Sequence, residues 1–124
     1  MTTTKQCYGG APGLPLSAAV RAGDLIFVSG QMPLDDNNEV VSGNIETQTR
    51  ATLERLKKTL NLAGAELSDV VKVTVWIADP RDFTGFNKVY SQYFSSDAPA
   101  RSTVRSDLVY DVRLEIEAVA YKAS

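Results

Sequence analysis

The stretch Leu114-Glu115-Ile116-Glu117-Ala118-Val119-Ala120-Tyr121 limits the possible folds more than any other part of the chain. Side chains alternate across a β-strand, so Leu114, Ile116, Ala118 and Ala120 share one face and Glu115, Glu117, Val119 and Tyr121 the other. The first face is wholly apolar and belongs against a core. The second mixes carboxylates with Val119 and Tyr121, which a two-layer domain would leave in water. That face predicts packing against another copy of the chain.

The apolar face needs a cover, and two segments have helical spacing. Asn44 is a good N-cap, and after it Ile45, Leu53, Leu56, Leu60 and Ala63 fall near one helical stripe that ends at Gly64. Glu46/Arg50 and Glu54/Lys58 stand four apart with the acid leading, the favourable order for an exposed helix face. Phe83, Phe86, Tyr90 and Phe94, at spacings of three and four behind a capping Asp82, predict a second helix with an aromatic buried face. Between the helices Val71–Ile77 alternates as a strand, and Asp79-Pro80 stops it. Ala18–Arg21 and Leu25–Ser29, joined through Ala22-Gly23-Asp24, predict a hairpin. The polar turn Asp35–Asn38 leads to a short strand at Glu39–Val41, and two strands, near Arg101–Asp107 and Val112–Tyr121, finish the chain. The order β-β-(β)-α-β-α-β-β makes no regular βαβ repeat. It suits two helices side by side on one face of a mostly antiparallel sheet, an α+β fold. Residues 1–15, Gly- and Pro-rich and without a period, read as a loop-like lead-in to a single domain over 1–124.

Composition bounds the chemistry. With 124 residues, 44% hydrophobic and 23% charged, one domain has core enough to need neither disulfide nor metal. No apolar run nears the ~20 residues that cross a bilayer, Met1–Lys5 lacks a signal-peptide pattern, and Cys7 has no partner for an internal disulfide. A cytoplasmic protein with no membrane partner is expected. A net charge of −2 without a basic cluster disfavours nucleic acid. Histidine is absent, which excludes a Ser/His/Asp triad, a Cys/His dyad, a His-ligated zinc and a two-histidine ribonuclease mechanism. No metal or organic cofactor is expected, since neither a ligand cluster nor a phosphate-cradling glycine motif occurs.

The remaining candidates are a guanidinium and carboxylates. Arg101 opens a strand after Pro99-Ala100, with Thr103 and Arg105 on its face. Its parallel donors match the two oxygens of a small carboxylic acid, although on spacing alone an ordinary salt bridge is the commoner reading. Glu115 and Glu117 share a strand face, where one can orient or deprotonate a water; the plain alternative is pairing with Arg101, Arg105 or Arg113. Ser29-Gly30-Gln31 offers backbone groups where a glycine admits a ligand, or simply a turn or bulge.

Four blocks together carry a resemblance: Val28-Ser29-Gly30-Gln31-Met32-Pro33-Leu34, Asp82-Phe83 through Asn87-Lys88-Val89-Tyr90, Pro99-Ala100-Arg101-Ser102, and Leu114 through Ala120. In this order, from about Leu14 to Ala120, the chain resembles the reactive-intermediate deaminase (Rid, or YjgF) family, also labelled endoribonuclease L-PSP. The resemblance implies a chorismate-mutase-like fold in a homotrimer whose sheets form a central barrel, with sites in the clefts between subunits. It implies hydrolysis of imino and enamino acids such as 2-aminoacrylate to a 2-keto acid and ammonia, in metabolite damage control or catabolism of nitrogen compounds. Arg101 matches the arginine that grips the substrate carboxylate, and Glu115 the glutamate associated with the attacking water. Ser29, Gly30 and Asn87 match positions that line or support the cleft. Leu16 stands where the well-known deaminases carry tyrosine and Thr103 where they often carry cysteine, and Arg105 adds a second guanidinium expected to favour a dicarboxylate or a bulkier acid. Leu16 and Thr103 keep open a trimeric small-carboxylate-binding protein with little turnover. The acidic balance and the missing histidine weigh against a ribonuclease or translation inhibitor.

Overall fold

The computed structural model describes residues 4–124. Its centre is the alternating segment, strand β6 (Leu114–Tyr121). The other elements are β1 (Gln6–Tyr8), β2 (Ala19–Ala22), β3 (Leu25–Gln31), α1 (Ile45–Leu62), β4 (Val70–Ile77), α2 (Phe83–Tyr93) and β5 (Ala100–Arg105). They form one six-stranded sheet in the order β1-β2-β3-β6-β4-β5. Every neighbouring pair is antiparallel except β4 and β5.

The topology follows from the connections. Parallel neighbours cannot be joined by a tight turn, and α2 supplies the crossover between β4 and β5. β3 and β4 are parallel as well and are joined through α1, so the described residues hold two βαβ crossovers, one of them split by β6, where the sequence reading has no regular repeat. β3 and β4 both run antiparallel to β6, which arrives last and closes the gap between them.

Both helices cover the same sheet face. Leu114, Ile116, Ala118 and Ala120 of β6 are buried there with Ile26 and Val28 of β3 and Val73, Val75 and Ile77 of β4. Leu53, Leu56 and Leu60 of α1 and Phe86, Val89 and Tyr90 of α2 close the core. Each Leu, Ile, Val or Phe among them, fully buried, contributes roughly 1.5–3 kcal/mol. The Asn44 side chain accepts a hydrogen bond from the Thr47 amide at 2.9 Å, and Gly64 with φ of 86° turns the chain out of α1. Gln48, buried beneath the stripe, donates to the Val41 carbonyl and accepts from the Arg113 amide, joining the loop before α1 to the start of β6.

The opposite face of the sheet is open. It presents Leu25, Phe27, Val104 and Tyr121, all exposed, and the half-buried Trp76 and Val119. No helix among the described residues is long and apolar enough to cross a membrane.

Four local expectations need correction. The lead-in contains β1, whose Gln6, Cys7 and Tyr8 pair with Arg21, Val20 and Ala19; three residues are too few to show a period, and residues 1–3 lie outside those described. Glu39–Val41 makes only an isolated bridge, Leu34 to Val40, beside the Asp35 turn. Asp82 does not cap α2 with its side chain; a single 3-10 turn, Pro80–Asp82, comes first, and Asp79 caps it through the Arg81 amide at 2.9 Å. The i,i+4 pairs on α1 do not form, because closer partners exist on other elements. Glu46 pairs with Lys88 at 3.2 Å, Arg50 donates to Gln92, Glu54 accepts from Tyr93 at 2.7 Å, and Lys58 reaches Asp36 at 2.7 Å.

Candidate active site

Pro99 leads into β5, and the register places Arg101 beside Val73, which lies beside Ala118 on the helix-covered face. β5 is the sheet edge, so the long side chain reaches under α2 rather than into the core. Helical spacing brings Phe83, Phe86, Asn87 and Tyr90 round to meet it. The Arg101 guanidinium carbon lies 5.7, 5.3 and 4.7 Å from the ring centroids of Phe83, Phe86 and Tyr90. A cation over aromatic faces is attracted by their electron density. One Nη1–H donates to Asn87 Oδ1 at 2.9 Å. No ion pair to Arg101 occurs among the described residues, so the salt-bridge reading of this arginine does not hold within the chain. The result is an oriented, half-buried fork with donors to spare.

The same face carries Thr103 and Arg105 beside Val75 and Ile77. The Thr103 hydroxyl is buried without a hydrogen-bond partner and lines a cavity of about 290 Å³ with Ile77, Pro80, Phe83, Val104 and Arg105. A second cavity, of about 640 Å³, flanks the same β4–α2 connection and includes Asp79, Asp82, Asp111 and Arg113. Arg113 is already held there by Asp82 at 3.3 Å and by the Gly43 carbonyl at 3.1 Å.

Glu115 lies on the other side of the sheet. It alternates with Leu114 and Ile116, which face the helices, and it neighbours Trp76 of β4 on the open face. A register shift in β3 between Val28 and Gln31 sets Gly30 against it, so closely that a Cβ at Gly30 would overlap the Glu115 carboxylate. Glycine here lets the Glu115 carboxylate lie where a Cβ would otherwise displace it, an effect of close approach rather than of backbone angle. Burial, and secondarily the charge of Glu117, raises the Glu115 pKa above the ordinary glutamate range. Neither glutamate pairs with Arg101, Arg105 or Arg113. Ser29 donates its hydroxyl to the Ser17 carbonyl at 2.6 Å and its amide to the Ala18 carbonyl, fastening the segment that carries the exposed Leu16.

The candidates therefore form two groups. Arg101, Asn87, Thr103 and Arg105 gather at the β5 edge under α2, while Gly30 and Glu115 meet on the open face beside the bulge that Ser29 begins. Within one chain Arg101 and Glu115 are not brought together. The aromatic cage is what the sequence reading missed, having placed Phe83, Phe86, Tyr90 and Phe94 in the core. Phe86 and Tyr90 are indeed buried, but Phe83 is 41% exposed, and the buried Tyr90 hydroxyl has no partner. An aromatic at the first position of α2, one helical turn before Asn87, was the available signal. Among the described residues no three His, Cys, Asp or Glu side chains gather as metal ligands.

The family model described as Endoribonuclease L-PSP matches residues 10–122. A RutC family protein of Pyrococcus abyssi is 49% identical over 110 residues, 87% of each chain. The 3-aminoacrylate deaminase RutC of Acinetobacter baylyi is 40% identical over 112 residues, 89% of each. A solved structure of a Rid-family protein from Yersinia pestis superposes with a TM-score of 0.89 at 32% identity, covering 95% of this chain and 99% of that one. The chain belongs to the Endoribonuclease L-PSP family, the family also called Rid or YjgF.

Proposed function

We propose that this protein hydrolyses reactive 2-imino and enamino acids to 2-keto acids and ammonia, at sites shared between neighbouring copies of a homotrimer. The observation that carries the reading is Arg101, a guanidinium held by Asn87 and three aromatic rings yet bound to no carboxylate among the described residues. An oriented fork matches a substrate carboxylate in one pose. The deaminase name of the Acinetobacter baylyi relative supports the chemistry.

A protonated imine is already electrophilic, so no covalent nucleophile is needed. Arg101 fixes the carboxylate, and backbone groups at Gly30 hold the imine nitrogen. Glu115 takes a proton from water as the oxygen adds to the C=N carbon and passes it to nitrogen, then takes the remaining hydroxyl proton as the C–N bond breaks and hands it to the departing ammonia. Its raised pKa suits a group that must both accept and release a proton. Arg101 and Glu115 occupy opposite faces of the sheet, so the complete site takes them from two copies, and the open apolar face gives those copies a surface to share. Three such sheets closing into a barrel fit this surface. The partners are small acids in the cytoplasm, not nucleic acid.

A second reading, a small-carboxylate-binding trimer with little turnover, is favoured by Leu16, an exposed side chain with no polar group to offer a substrate. Release of ammonia and keto acid from freshly generated 2-aminoacrylate separates the two. The parent protein is expected to accelerate release and Arg101→Ala to lose at least ~100-fold, as removal of a positioning charge does. No acceleration by the parent would move the assignment to the binding protein.

A further inference from the structure

Arg105 follows Arg101 by four residues on the same face of β5, and the hydrolysis of a monocarboxylic acid gives it nothing to bind. It forms no ion pair among the described residues. The carboxylate whose charge it does feel, Asp79, is taken by Arg81 through contacts of 2.8 to 3.2 Å. Arg105 is thus a free cation at the rim of the 290 Å³ cavity.

The cavity borders Arg105 directly and reaches the Arg101 guanidinium through the Phe83 ring between them. Phe83 holds Arg101 against one side of its ring environment and also lines the cavity that Arg105 borders. Thr103, midway along the strand, lines the same space, with its unpartnered hydroxyl buried behind the wall. Ile77, Pro80, Phe83 and Val104 make the remaining wall apolar. Four strand residues span roughly 13 Å between the arginine α-carbons, and both side chains shorten that span from its ends. A volume near the ~300 Å³ lower limit of ligand pockets admits a short carbon chain and excludes a nucleotide.

We propose that this cavity is a side-chain subsite that makes 2-imino dicarboxylates the preferred substrate class. This deepens the deaminase reading and rests on it. Arg101 holds the α-carboxylate, the apolar wall encloses the methylene groups, and Arg105 takes the distal carboxylate. The reaction balances without a further reagent: the protonated imine and one water give the 2-keto dicarboxylate and ammonium. The C–O bond forms at the imine carbon, the C–N bond breaks, and both water protons end on nitrogen.

The test compares 2-iminoglutarate with 2-iminopropanoate, each generated in place from the amino acid by an amino-acid oxidase, on the parent, Arg105→Ala, Arg105→Lys and Arg105→Glu. The quantity read is the ratio of kcat/KM for the dicarboxylate over the monocarboxylate. The parent ratio is expected above one, with Arg105→Ala lowering it about tenfold, Arg105→Glu lowering it further and Arg105→Lys restoring most of it. A parent ratio of one or below, a ratio unmoved by Arg105→Ala and Arg105→Glu, or an equal loss on both substrates would overturn the subsite. Each of these leaves the deaminase reading standing as long as the parent hydrolyses 2-iminopropanoate. If the parent hydrolyses neither imine, the deaminase reading falls and the subsite with it.

Discussion

A single missing carbon at Gly30 lets the Glu115 carboxylate settle against the β3 backbone, and the same closeness strips it of water. Desolvation is the larger cause of its raised pKa and Glu117 the smaller. The folded state therefore binds a proton at Glu115 more readily than the unfolded chain does. Between the ordinary value of 4.5 and the raised one, stability contributed by this site falls as pH rises, because the folded form must ionise a poorly solvated acid. Glu115→Gln is expected to melt higher than the parent at neutral pH, with the difference closing as pH drops below 4.5. If Glu115 is the base, the acid limb of kcat/KM follows its pKa, and Glu117→Gln shifts that limb to lower pH. An unmoved limb in that variant would assign the base elsewhere. Sequence alone singled out Arg101, Gly30 and Glu115 by residue type and block. Alternation also set Glu115 on the face away from the core, but that Arg101 lies on the opposite, helix-covered face and that Gly30 meets Glu115 was not readable, because these depend on the parallel pairing of β5 with β4 and on the bulge in β3.

Elements with strong periods were legible, and those set by partners were not. α1 declares itself through Asn44, its apolar stripe and Gly64, and β4 and β6 through alternation. β1 exists because the β2 edge offers unpaired backbone groups, a condition no three-residue pattern encodes. The start of α2 depends on Pro80, which fits the first position of a helical turn and moves the capping role back from Asp82 to Asp79. Calorimetry on three variants checks this. Asn44→Ala should cost about 1 kcal/mol, and Asp79→Ala should also destabilise, each through an unmet amide donor. Asp82→Ala should cost less than about 1 kcal/mol, since its partner Arg113 is a partly exposed cation at 3.3 Å. Equal losses at Asp79 and Asp82 would return the cap to Asp82.

At the scale of the whole molecule the two-faced β6 organises everything else. One face is closed by two helices of the same chain, while the other holds Phe27, Tyr121 and Val119 beside the glutamates and has no cover among the described residues. A charged residue in the middle of that surface, Phe27→Glu, should shift the mass measured by light scattering from assembly to single chain, and activity should go with it. Sharing of the site has a sharper consequence. If each site draws Arg101 from one copy and Glu115 from the next, Arg101→Ala and Glu115→Ala are inactive alone but complement each other in mixed assemblies. With equal co-expression and random association, a site finds one intact Arg101 and one intact Glu115 with a chance of one half for each, so about a quarter of parental activity should return. If both residues instead came from one copy, every site in the mixture would lack one of them. The mixture would then stay as inactive as its parts, even with hybrid assemblies demonstrated by mass spectrometry.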